Sequence, residues 1–452
     1  MSESSNRRVE ERQMSLIDNI RDAGIVGAGG AGFPTHVKVN CKAEYIIANG
    51  AECEPLLRVD QQLMRDHADM VVKGILAVQE STGAAHAVIC LKEHYHDAVV
   101  ALKKAAEGTG VEIKLFKSYY PAGDEQQMVY EVTGRVVPTG GLPLDVGCVV
   151  DNVSTLMNIA AALDGQPVID KYVTVGGEVK NPITLKVPIG TPISVLLKAA
   201  GAPSDMSEYT IVLGGPCMGK LTNDIDTPVT KTTGGILVFK TSHPLITMKT
   251  NDPDRDLKLA KAVCCQCSMC TQMCPRNALG LNVQPHKAMR AAAQNDGRLL
   301  GDINGIFSCC DCGICTYYAC NFGLAPSRMM QRMKQGLVQA GIKPKKEVYT
   351  TVDKGIENKR LPVSRMIGRL GIKEYDVPAP LHDNLMEVSS VKIPLRMHIG
   401  APAVPVVSQG QQVNRGELIA DIKEGALGAK IHASISGTVT AVNNDSITIE
   451  VK

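Results

Sequence analysis

The sequence has no tryptophan and only five phenylalanines among its 452 residues. That scarcity argues against the aromatic platforms on which single-stranded nucleic acids stack their bases. Excess charge of either sign is missing too. The 48 Lys and Arg against 46 Asp and Glu leave a formal net charge of +2. No long basic block occurs, so neither nucleic acid nor an anionic membrane is the expected partner. No apolar run approaches the ~18 residues of a membrane-spanning helix. The polar start MSESSNRRVEERQ lacks the apolar core of a secretory signal, and its pattern is too short and uneven to decide whether it is a packaging tag. These absences lead to the expectation of a soluble, cytoplasmic protein without a membrane span. Hydrophobic residues make up 44%, enough for packed cores, and the length allows about three domains at roughly 150 residues each.

Cysteine is abundant instead. Ten of the 15 fall between Cys264 and Cys320. In a cytosolic chain the redox poise disfavours structural disulfides, so clustered cysteine points to metal or redox chemistry. Cys264, Cys267, Cys270 and Cys274, followed by Pro275, have the C-x2-C-x2-C-x3-C-P spacing of bacterial-type [4Fe–4S] ferredoxins. Zinc prefers two separated pairs. A second set, Cys309, Cys312, Cys315 and Cys320, repeats the spacing of the first three cysteines but has four residues before its last Cys, with Asn321 in place of Pro. In two-cluster ferredoxins the fourth Cys of each motif serves the other cluster. Cys264, Cys267, Cys270 and Cys320 are therefore expected to hold one cubane, and Cys309, Cys312, Cys315 and Cys274 the other. Cys265 and Cys310 are surplus. Cys41, Cys90, Cys148 and Cys217 read as ordinary thiols.

Along the chain, strand and helix patterns alternate over residues 1–163, the signature of an α/β layer domain. Within it, 60–80 and 96–107 read as helices and Tyr45–Ala48 as a buried strand. Residues 164–245 carry short β segments with Gly-Gly, Asn-Pro and Gly-Thr-Pro turns and one helix over 193–200, the outline of a β-grasp fold. The helical ferredoxin-like segment spans 255–335. Residues 336–388 read as a basic connector with a solvated face. Residues 389–452 form two similar strand–turn–strand units that suit a barrel-sandwich hybrid. Its Lys423 and Lys430 lack the flanks of a lipoylated or biotinylated lysine. His94 and His96 would share a face on a strand, but no third metal ligand is near. His286 follows the first cysteine motif and is a candidate for tuning it.

The stretch GAGGAGFPT (27–35) fits G-x-G-x-x-G by letter. A Rossmann fingerprint must follow a strand and open a helix. Here the preceding segment is helical in pattern, and Pro34 stands where the helix should be under way. What remains is a loop of little bulk whose backbone N–H groups can approach a phosphate or a flat ring.

GAGGAGFPTHVK resembles the flavin loop of the NADH-oxidising subunit of respiratory complex I and of the Rnf-complex C subunit. NGAECEP (49–55), YPAGDEQ (120–126) and PLDVGCVVDNVSTL (143–156) resemble further flavin-site segments of those proteins, in the same order. YVTVGGEVKNP resembles their SLBB β-grasp domain, and the C-terminal segment resembles the Rnf barrel-sandwich. In the Rnf subunit that module comes first; here it comes last. This order is similar to that of the cobalamin reductases of propanediol-utilisation microcompartments.

The resemblance implies that Gly29, Gly30 and Gly32 line an FMN, and that Lys38, Asn49, Glu52, Asn152 and Thr155 bind its phosphate, ribityl chain or ring edge. It puts Glu54, Glu125 and a stacking Phe33 on the NADH side. Ala51 and Cys41 depart from the complex I pattern, which has Asp and Phe there. The implied activity is NADH-dependent reduction of cobalamin through FMN and two [4Fe–4S] clusters. An electron-entry subunit that feeds a protein partner is the alternative. The implied partners are cobalamin or a corrinoid-handling adenosyltransferase and microcompartment shell proteins, with no nucleic acid.

Overall fold

The computed structural model describes residues 15–250, 252–347 and 351–451; the N-terminal stretch 1–13 lies outside them. The first layer is built on strands Tyr45–Gly50 (β1), His86–Lys92 (β2), Glu112–Phe116 (β3), Tyr119–Tyr120 (β4) and Cys148–Asn152 (β5). Four of them make a parallel sheet in the order β3-β2-β1-β5. β1 and β2 read as near-continuous apolar runs because helices cover both faces. Two of these helices, Ala68–Thr82 and Val153–Leu163, press close together: a Cβ on Gly74 would stand 2.0 Å from the Leu156 carbonyl oxygen.

The chain steps outward from β1 to β2 and β3, then returns to the far side of β1 as β5. That reversal is a topological switch point, and ligands of open α/β sheets bind at the carboxyl ends of the strands flanking one.

Two local expectations change. The helix read over 60–80 is two helices, Val59–Asp66 and Ala68–Thr82, broken at His67. The break turns the first one so that Arg58, at its start, and Gln62 reach Asp376 and the Ala379 carbonyl. His94 and His96 do not share a strand. β2 ends at Lys92, and His96 opens the helix His96–Ala105.

The β-grasp unit is a six-stranded sheet, with Ile193–Ala199 packed on Val173, Val175 and Ile236. Its edge strand, Leu381–Leu385, pairs in parallel with Ile183–Pro188 and comes from the segment read as a connector. That segment is more than a solvated linker. The helix Val363–Leu370 buries Met366, Ile367 and Leu370 in one core with Tyr120, Phe239 and Cys312. Its basic composition hides this apolar stripe.

The C-terminal residues form two small antiparallel sheets. Lys430 is no swinging lysine: its Nζ lies 3.0 Å from Asp22 Oδ1. Ile393, Ile419 and Ile447 share one continuous core with Ile25 and Ile46 of the first layer. The cysteine motifs lie on loops and short helical turns among the helices Pro253–Val263, Pro285–Gln294 and Pro326–Gln339.

Candidate redox site

The switch point gathers much of the expected flavin set. Asn49 and Asn152 are paired neighbours at the carboxyl ends of β1 and β5. Asn49 donates to Gly123 O at 2.9 Å and accepts from Ala51 N–H, tying the 49–55 loop to the 120–126 loop. The glycine loop lies over Asn152. A Cβ on Gly29 would sit 2.7 Å from Asn152 Nδ2, whereas one on Gly30 would meet nothing within 4 Å. Thr155 accepts from the Ala28 N–H at 2.9 Å and so holds the loop down. Lys38 lies 3.0 Å from Asp151 at the side of the crevice.

Two buried oxygens at this end of the sheet, Glu52 Oε2 and, beside Lys38, Asp151 Oδ2, have no hydrogen-bond partner. Unmet buried polar atoms are costly, and hydroxyl donors such as those of a ribityl chain would satisfy them. With the bare backbone at Gly30, these residues fit an FMN.

The loop is clamped from outside its own domain, by residues that carry no motif. Buried Lys171 donates to Ala28 O at 2.9 Å. Lys231, also buried, donates to Gly24 O at 2.6 Å and Lys430 O at 2.8 Å. Burial pushes their ammonium groups down, to about 8 for Lys171 and about 7 for Lys231. Gly32 has φ +73°, and its missing Cβ would stand 3.0 Å from Met397 O and 3.1 Å from Thr232 Cγ2. Ile399 N–H bonds Gly32 O. Gly32 therefore makes room for the barrel-sandwich. Phe33 beside it is 37% exposed.

Asp60 is a further residue the motifs did not reveal. It accepts from Asn152 Nδ2 at 2.8 Å and Ser154 Oγ at 3.1 Å. Burial, with the Asp60 carboxylate adding to it, pushes the Glu52 carboxyl up to about 8. Glu52 is thus mostly neutral at pH 7 and able to donate. Glu54 accepts from the Cys217 and Met218 N–H groups, each at 2.8 Å, bridging to the β-grasp hairpin; burial raises its carboxyl. Glu125 opens the helix Glu125–Thr133 and is half-buried. A cavity of about 820 Å³ opens beside Glu52 and Glu54. Arg58, Arg65, Lys92, His94 and His96 stand on its walls, and residues 376–381 close one side.

The cysteines fall into two groups. Cys264, Cys267, Cys270 and Cys320 line one small cavity together with His286. Cys274 instead acts electrostatically on Cys309, Cys312 and Cys315. Burial first, and then neighbouring thiols, push Cys270 up to about 12; burial also pushes Cys274 up to about 12. Such sets hold thiolate only when cationic metal compensates it. Among the described residues, no three His, Cys, Asp or Glu come together to hold a single ion. A zinc site would need sulfurs ~3.8 Å apart, given a Zn–S bond of about 2.3 Å. Cys265 is exposed at the first cavity, and Cys310 lies beside Cys312, Asp124 and Arg276. His286 Nδ1 is held by Thr271 Oγ1 at 2.7 Å.

Comparison with known proteins gives the family. Residues 20–161 match the Nuo51 FMN-binding domain, 172–220 the SLBB domain, 263–325 the 4Fe-4S dicluster domain and 374–451 the RnfC barrel sandwich hybrid domain. The chain is 40% identical over 433 residues to the cobalamin reductase PduS of Salmonella typhimurium, covering 96% of this chain and 95% of that one. The chain belongs to the PduS cobalamin reductase family. To PduS of Citrobacter freundii it is 39% identical, with 96% of each chain covered. A component of the Na(+)-translocating ferredoxin:NAD(+) oxidoreductase complex of Acetobacterium woodii is 37% identical, with 58% of each chain covered. Like the PduS proteins, the chain is an oxidoreductase, and its cofactors are FMN and iron–sulfur clusters. No helix among the described residues is long and apolar enough to cross a membrane.

Proposed function

We propose that the protein oxidises NADH at an FMN held over the β1/β5 switch point and passes single electrons through two [4Fe–4S] clusters to cobalamin. One observation carries this reading. Tyr120 and Asp124 of the flavin loop and Gln127 of the helix that follows bond directly to the cysteine segment, so the two candidate cofactor sites are one connected unit. A bound flavin supplies the exchange between a two-electron hydride and single electrons. The chain's residues do the rest. Asn49, Asn152, Thr155 and Lys38 orient the cofactor, neutral Glu52 donates to it, and Gly29 and Gly30 let it approach. Phe33 stacks on NADH, Glu125 and Glu54 border it, and the cavity beside Glu52 gives the cofactors room. Cobalamin as acceptor is supported by the activity for which relatives, matched over nearly their whole length, are named.

The reading also assigns the chain to the cytoplasm, within a propanediol-utilisation microcompartment, with an adenosyltransferase as corrinoid-handling partner and shell proteins around it. Co-purification with those partners tests that assignment. For the reaction, the chain is purified anaerobically, its visible spectrum recorded, and NADH and cob(II)alamin added in turn. Flavin bleaching followed by corrinoid reduction is expected. Bleaching without transfer until a protein partner is added would favour an Rnf-like electron-entry role, and absence of flavin would refute both.

A further inference from the structure

We infer that the two cysteine sets act in series. Cys309, Cys312, Cys315 and Cys274 hold the flavin-side cluster, and Cys264, Cys267, Cys270 and Cys320 hold the exit cluster. This order rests on the flavin and two-cluster reading above, and it is fixed by where each set touches the rest of the molecule.

The first set is buried against the flavin domain. Tyr120 OH donates to Cys312 O at 2.8 Å, and Cys312 shares a core with Tyr120 and Leu56, which follows the 49–55 loop. Gln127 Nε2 donates to Pro275 O at 2.7 Å, one residue after Cys274. Arg276 and Asp124 form an ion pair whose side chains are only 9% and 7% exposed. The flavin loop is thus bonded to both arms of this set. The 49–55 loop joins the same contact, because Cys53 accepts from Gly123 N–H and packs on that core.

Among the described residues, the second set has no such partners. Its cavity is lined only by residues 264–270, His286, Met289 and 319–326. Cys264 and Cys320 pack on Ala260, Met289, Leu324 and Met329, all within the ferredoxin segment. Cys265 and Cys267 are exposed, as are Met269 and Phe322 beside them. Between the sets, the turn Met269–Gln272, which carries Cys270, packs against the turn Cys315–Ala319, which opens with Cys315. Electrons that start at the glycine loop therefore meet the Cys312 set first and reach solvent at the Cys267 set.

The electron count closes. NADH becomes NAD+ by giving up a hydride, which amounts to two electrons and one proton, and the proton returns to solvent. The two electrons pass singly through the flavin-side set and then the exit set, each reducing one molecule of a one-electron acceptor of the cob(II)alamin type.

Two variants of the full chain test the order. Cys267 is exposed, so Cys267→Ser should fold, lose about half the iron and keep an iron–sulfur EPR signal that NADH elicits before a second turnover. Its reduction of cob(II)alamin should fall away. Cys312→Ser should also lose half the iron. Its remaining signal should appear with dithionite but not with NADH in that first turnover. A dithionite-reducible cluster in Cys267→Ser that NADH fails to reduce, while its flavin bleaches normally, would overturn the order by itself. So would prompt reduction by NADH in Cys312→Ser. Failure of the flavin to bleach in the unmodified protein would instead count against the NADH reading.

Discussion

At the scale of single residues, Glu52 makes the sharpest prediction. Its folded carboxyl is raised from 4.5 to about 8, by burial first and by Asp60 second. Between those values the folded chain keeps a proton that the unfolded chain has released. Stability is therefore greatest at the acid end of that window and falls as pH rises through it. Glu52→Gln removes the titration and keeps the shape of the neutral carboxyl. The melting temperature of the wild type should fall more steeply than that of the variant between pH 4.5 and 8; equal slopes would show that Glu52 is ionised in the fold. Lys231 runs the other way. Its folded value of about 7 lies below the ordinary 10.5, so across that interval the unfolded chain holds the extra proton and stability rises with pH. Lys231→Met should lose that alkaline gain, and thermal melts across that window measure it. It should also cost stability throughout, because the carbonyls of Gly24 and Lys430 lose their donor.

At the scale of elements, the glycine loop separates two tasks that its spelling merges. Gly32 has a positive φ and a crowded Cβ direction, while Gly30 faces open space. Gly32→Ala should cost on the order of 1–2 kcal/mol from the left-handed backbone alone, more from the contact with Met397, and should lower the melting temperature. Gly30→Ala should leave the melting temperature nearly unchanged and lower the flavin content, since its methyl enters the space kept for the ligand. A stable, fully flavinated Gly30→Ala protein would remove Gly30 from the site.

This division also marks what could be read from sequence. Motifs with local spacing, such as the cysteine motifs of the dicluster segment and the glycine loop of the FMN-binding domain, were legible because their geometry is set within a few residues. Lys171, Lys231, Asp60 and Arg276 were not, nor was the reach of Tyr120 to Cys312. Each acts on a segment far away in the chain, and a lone Lys or Asp carries no period or spacing. The connector was misjudged for a related reason. The helix Val363–Leu370 buries three apolar residues among basic ones, and composition averages that stripe away.

At the scale of the whole molecule, cofactor sites and cores are shared between domains. The loops bearing Cys264–Cys270 and Cys309–Cys312 include the left-handed non-glycine residues Gln266, Ser268 and Asp311, a conformation that is unfavourable without external support. Metal–thiolate bonds supply such support and couple binding to folding. The second of these loops anchors Tyr120, and the turn that follows Cys274 anchors Asp124 and Gln127 of the flavin domain. Stripping iron should therefore loosen a distant segment of the flavin crevice, since these bonds span separations of 148 to 192 residues. Anaerobic treatment with an iron chelator should release FMN in step with iron, read as a rise in free-flavin fluorescence, and should lower the melting temperature in a single transition because Cys312 lies in the core that joins the domains. Complete loss of iron with flavin still fully bound would show that the crevice stands without its cysteine-side anchors.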